Sequence, residues 1–249
     1  MTRTVRFVMF AVAGSAVAVM LVLGVLDLPH FGSSFHPYRD AAVPAAVAHA
    51  TSNVISSVNF DLRGLDTLGE ETIFFTSVIG VAALLRPAED EDERKPGRGG
   101  RLLDLTRLFG YVFLPITLMI GFITVAHGAL TPGGGFQGGV VLGTGIHLLY
   151  VAGSYHAIEK VRPVQALEYG ESLGAAAFTC FGIAGALVAS SFLGNILPLG
   201  TFGELFSSGS VLYLSCAVGI EVASGVIVLL AQFLHQAIEV ESHVEAGKA

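Results

Sequence analysis

At 249 residues, 53% apolar and 13% charged, with a mean hydropathy of +0.70, the chain departs from the composition of a water-soluble domain. Its net charge of −7 comes partly from one acidic cluster, and the lack of a basic stripe sets nucleic acid aside as a partner. Cys180 and Cys216 lie singly in apolar runs and form neither a CxxC pair nor a zinc pattern.

After Arg3 and Arg6, the apolar run Phe7 to Leu26 has about the 20 residues a helix needs to cross the hydrocarbon core. It exceeds the roughly 7–15 apolar residues of a signal peptide, so an uncleaved anchor is expected. Asp27 to Asp66 is mixed in polarity, and its Ala/Ser-rich part, Ala45 to Phe60, predicts an interfacial amphipathic helix. A second span is expected from Thr67 to Leu85, with Glu70 and Glu71 in its first turn. The stretch AEDEDERKPGRGGR, residues 88–101, is a solvated linker by composition. Four more spans follow: Phe109 to Leu130, Gly138 to Ala157, Ser172 to Leu193 and Val211 to Leu234. The reading is an all-α polytopic membrane protein of about six spans. Of 13 Lys and Arg residues, 11 fall on one side, and only Arg39 and Arg63 on the other, so both termini are expected to be cytoplasmic.

Four places could carry chemistry. In PGGGFQGG, residues 132–139, the glycine spacing matches a dinucleotide fingerprint, but a membrane helix precedes it instead of a strand, and no P-loop lysine follows. Pro132, Gly133, Gly134 and Gly135 permit a sharply folded connection or a broken helix whose N–H groups face a cavity. Phe136 is more than a turn requires.

In NFDLRGLDTLGEE, residues 59–71, Thr67 and Glu70 fit a capping box. Alternatively, Arg63, Asp66 and Glu70 share one helix face and pair at the membrane boundary, where an acid can receive a cation or proton.

Glu221 is expected near mid-membrane, where an acid costs on the order of 3 kcal/mol, so it should be protonated, paired or beside a hydrated path. A hydrogen bond to a neighbouring helix is the plainer explanation. His147, in the fourth span, suits proton relay or an ordinary interhelical bond, as does His127 near the end of the third. His156 and His235 read as interfacial. No catalytic triad, metal-ligand set or cofactor fingerprint emerges, so neither a stand-alone enzyme nor a cofactor is expected.

The segment NFDLRGLDTLGEETIFFTSVIGVAALL resembles the two-span region found in the E-type chain of membrane-bound hydrogenases and at the C-terminal end of the large A-type chain of Mrp-type cation/proton antiporters. The sequence from about Leu102 onward, with HGALTPGGGFQGGVV, resembles the B-type chain of those antiporters, the MnhB family. This resemblance implies a fusion: a module over residues 1–86, a cytoplasmic linker over 87–101 and a four-span module over 102–249. It implies a non-catalytic subunit of a complex, related to the membrane arm of respiratory complex I, that exchanges Na+ for H+ across a prokaryotic cell membrane. Its companions would be the large A- and D-type chains and the small C-, E-, F- and G-type chains. By motif, Arg63 and Glu70 match the functional Arg and Glu of FDxRGxDTLGE, and Pro132 and Phe136 those of PGGGF. The departure is that the shorter B-type chain of many such antiporters lacks the first module, which leaves a hydrogenase-like parent complex open.

Overall fold

The computed structural model describes residues 3–28, 32, 34–85, 104–152 and 164–246, and every regular element among them is helical. The chain divides into two compact units, Met1–Ala41 and Ala42–Ala249. The first contains α1, Arg3–Leu26, a 24-residue apolar helix with no buried residue, suited to lipid or a companion chain.

Helix α2, Pro37–Ala48, leads into the second unit, where the expected interfacial helix is broken. The N–H of Ala50 bonds the Val47 carbonyl and that of Thr51 the Ala46 carbonyl, a Schellman closure with Ala50 at φ 53°. The backbone restarts as α3, Val54–Ser57, and passes into a π-helical turn, Val58–Leu62.

Helix α4, Gly64–Leu84, begins four residues before the capping box predicts, with Arg63 and not Thr67 in the N-cap position. The N–H of Arg63 is held by the Val58 carbonyl at 2.8 Å, so the new helix starts directly after the π turn. Thr67 is therefore inside the helix and no cap: its hydroxyl donates to the Asn59 carbonyl, 2.7 Å away. The remaining helices are α5, Asp104–Ala126, α6, Gly135–Val151, α7, Val164–Val188, and α8, Ser210–Ala246. Five of the described helices, α1, α4, α5, α7 and α8, are long and apolar enough to cross a membrane. The fourth expected span corresponds to α6, whose 17 residues stand at the lower limit of about 17–25 for a span. The rest of that segment, with His156, and the linker over 87–101 lie outside the described residues.

Glycine contacts fix helix directions. Gly135, Gly139 and Gly143 on α6 meet Val218, Val222 and Val226 on α8 in step, so these two helices run parallel, one small residue per turn letting them close. Gly121 faces Leu142 and Gly138 faces Val125, which makes α5 antiparallel to α6. Gly170 meets Ser224 and Gly174 meets Glu221, which makes α7 antiparallel to α8. Helix α8 is the hub: 67% of its span is buried, against 28% for α7 and 17% for α4 and α5. Val211, Leu214, Val218 and Val222 of α8 form the core with Phe60, Ala129, Phe178 and Leu193.

Candidate functional site

Glu221 is the twelfth residue of α8, about 17 Å along its axis from Ser210 at 1.5 Å per residue. It is fully buried, and neither carboxyl oxygen has a hydrogen-bond partner among the described residues. The contact that buries it comes from Gly174 of α7, where an added Cβ would stand 2.7 Å from the Glu221 Cβ. Two further acids converge on this region. Glu71 of α4 is 2% exposed and Glu171 of α7 is 3% exposed, each with one unpartnered carboxyl oxygen. Glu71 lies within electrostatic reach of Glu221, and Glu221 within that of Glu171.

Helix register sets these acids at similar depth. Phe74 and Glu171 both close on the bare Cα of Gly225, whose added Cβ would lie 2.7 Å from the Phe74 ring and 3.2 Å from the Glu171 Oε1. Gly225 is one turn beyond Glu221, as Phe74 is roughly one turn beyond Glu71. The acids therefore cross the bundle sideways, from α4 through α8 to α7. His147 of α6 lies farther along the bundle, one turn beyond Gly143, which meets Val226, and its Nε2 is buried without a partner among the described residues. A carboxylate without partners in a dry interior is costly, so these groups must hold protons, receive a cation or line a hydrated path.

Residues at the start of α4 separate into two sets. Arg63 and Asp66 form an ion pair with side chains 58% and 53% exposed, and Glu70 is also exposed. The next residue, Glu71, turns about 100° around the helix into the bundle. A pair not foreseen from sequence, His49 with Asp61, ties the end of α2 to the π turn, and its aspartate side chain is only 7% exposed.

The PGGGF segment is a tight connection between α5 and α6. Gly133 and Gly134 have φ of 149° and 142°, which disfavour a side chain, and α6 begins at Gly135. Asn53 fastens the turn from outside, its Nδ2 donating to the Gly128 carbonyl at 2.7 Å and the Thr131 carbonyl at 2.9 Å. Pro132 is exposed. Phe136 meets Phe74 edge-on, with ring centres 6.0 Å apart, so the glycine turn buttresses the aromatic ring beside Glu171. His127 bonds its own helix through Nδ1 and the Ile123 carbonyl at 3.1 Å.

Glu171 escapes a reading of the sequence because the fifth expected span starts one residue after it. The available signal is Gly170 and Gly174, four apart, marking a close helix contact around it. No three His, Cys, Asp or Glu side chains among the described residues converge as ligands of one metal ion.

The profile of a family described as "domain related to MnhB subunit of Na+/H+ antiporter" matches residues 105–228, a stretch that contains Phe136, His147, Glu171 and Glu221. This stretch belongs to the MnhB family. An uncharacterised protein of Methanocaldococcus jannaschii is 28% identical to it over 194 residues, covering 70% of this chain and 73% of the relative. The Rhizobium meliloti protein described as a probable K+/H+ antiporter A/B chain is 24% identical over 223 residues, 80% of this chain but only 22% of that protein. Among solved structures, a chain of the membrane-bound sulfane sulfur reductase, an archaeal respiratory membrane complex, superposes with TM-score 0.72 at 26% identity, covering 92% of this chain and 98% of the other. A chain of the Mrp complex from Dietzia sp. DQ12-45-1b superposes with TM-score 0.67 at 20% identity, covering 93% and 26%. The second likeness is one of fold.

Proposed function

We propose that this chain, a membrane subunit of an antiporter-like complex, lines part of the route by which a monovalent cation is exchanged for protons. The observation that carries this reading is Glu221, fully buried at the middle of the apolar span of the hub helix, Ser210–Phe233, with both oxygens unpartnered among the described residues. Glu71, within electrostatic reach of it, is a further station, and His147 a separate one farther along α6. Arg63, Asp66 and Glu70, exposed at the start of α4, form the polar approach to Glu71. Pro132 and Phe136 act through packing, by holding Phe74 at the edge of the acidic layer. The cation proposed is Na+, the companions are chains of the A, C, D, E, F and G types, and both termini face the cytoplasm of a prokaryotic cell. Residues 1–86 form a module fused ahead of the MnhB-type part.

The test is cation-dependent collapse of a pH gradient in everted vesicles holding the complete complex, with Na+ and K+ compared. Collapse driven by Na+ well below the K+ concentration required supports the sodium reading, the reverse order reassigns the cation, and no response to either defeats the antiport.

The nearly full-length likeness to a chain of a sulfane sulfur reductase favours a second reading, in which the protein is part of the membrane arm of a redox complex. Iron, sulfide and flavin analysis of the purified complex separates the two. Redox centres together with absent cation response would select the second reading.

A further inference from the structure

Glu171 has no part in the reading above, yet it is 3% exposed, its Oε1 is unpartnered among the described residues, and it borders the same glycine-lined contact as Glu221. We infer that Glu71, Glu221 and Glu171 form a lateral proton line across the bundle, with Glu171 as the station on α7. The inference rests on the proposed function and deepens it by naming what moves here and the acids that carry it.

Three features favour a proton over a chelated metal ion. The carboxyls lie on three helices, α4, α8 and α7, and among the described residues no three acids or histidines converge on one point as ligands. Neighbours interact in sequence: Glu71 with Glu221, Glu221 with Glu171, and each end acid with a second acid, Glu70 or Glu168. The surroundings are otherwise small or apolar, with Gly170, Gly174 and Gly225 keeping bulk away from the carboxyls and Phe74 closing on Gly225 between α4 and α7. In each transfer a proton leaves one carboxyl group and joins the neighbouring carboxylate, directly or through one water. Charge and electrons are conserved, and no co-reactant is needed. Ser224 of α8 meets Gly170, next to Glu171, and His147 lies on α6, which packs on another face of α8 through Gly135, Gly139 and Gly143.

The test uses the complete complex in liposomes, comparing wild type, Glu171→Gln and Glu171→Asp at equal assembled abundance. One readout is cation-driven proton flux; the other is the infrared carbonyl band of protonated carboxylic acids, followed through pH and deuterium exchange. The expected result for Glu171→Gln is a roughly hundredfold loss of flux, the low side of what one positioned proton-transferring side chain contributes. The band of the remaining acids must also move, because coupled groups titrate as a set. Glu171→Asp, which keeps the carboxyl, should recover part of the flux. Unchanged flux and unchanged bands in assembled Glu171→Gln would overturn the line. If the wild-type complex shows no cation-driven flux, the antiport reading fails, and the infrared arm alone then decides whether Glu171 and Glu221 share protons. Should Glu171→Gln not assemble, Glu71→Gln read by infrared serves instead: a shift in the remaining acids supports the line, and stationary bands overturn it.

Discussion

Gly174 of α7 lies against Glu221 of α8 so closely that a Cβ on residue 174 would stand 2.7 Å from both the Glu221 Cβ and the Ala217 carbonyl oxygen. The acid at the centre of the bundle is thus sealed by the absence of a side chain opposite it. Gly174→Ala should force α7 away from α8 and cost about 1–3 kcal/mol, the usual range for overpacking. Gly80→Ala is the control, because nothing lies within 4 Å of that position, and should leave the midpoint unchanged or slightly raised. Thermal unfolding of the purified complex in detergent checks both, and equal midpoints for the two variants would contradict the close contact.

Asn53 joins the segment before α3 to the turn after α5 through two side-chain hydrogen bonds. Asn53→Ala removes the donors and leaves the Gly128 carbonyl short of a partner in the interior, at a cost of about 1–3 kcal/mol. Cysteine labelling at position 131, on an otherwise cysteine-free background, should speed up in this variant. Equal labelling rates with and without Asn53 would show that the turn holds itself.

The His49–Asp61 pair predicts an order of effects. His49→Ala leaves the nearly buried Asp61 carboxylate without its partner, whereas Asp61→Asn removes the charge and keeps a hydrogen-bonding group. Breaking a pair from the side that strands a buried charge is the more damaging change. His49→Ala should therefore lower the unfolding midpoint more than Asp61→Asn, and the reverse order would contradict the pairing.

Phe136 and Phe74 should be energetically coupled, since their rings meet edge-on. A double-mutant cycle with alanine at each position should return about 0.5–1.5 kcal/mol of interaction. A value near zero would detach the PGGGF turn from the acidic layer.

The fold is legible wherever hydropathy alone decides it: α1, α4, α5, α7 and α8 all lie under expected spans, because a run of apolar residues long enough for the bilayer has few alternatives. Local boundaries are less so. Thr67 and Glu70 fit a capping box, but the π turn before Arg63 hands the chain directly into α4, and no residue pattern announces a π turn. Ala45 to Phe60 reads as one helix, yet Ala50 reverses the chain in a left-handed conformation that sequence does not usually assign to alanine. At the site, Glu221 is visible as an acid deep in an apolar run. Glu171 is not, since it stands at the edge of a run and only the register of α7 against α8 brings it inside. The division between Glu70, exposed, and Glu71, buried, depends on the rotation of α4 about its axis, which follows from packing against α8.

The measurement that bears most directly on the central claim is cation-dependent ΔpH in everted vesicles carrying the complete complex, wild type against Glu221→Gln at equal abundance. The account predicts a cation-dependent signal in wild type that Glu221→Gln abolishes while assembly is preserved. An assembled Glu221→Gln complex that collapses the gradient as fast as wild type would remove the buried acid from the ion route and contradict the account.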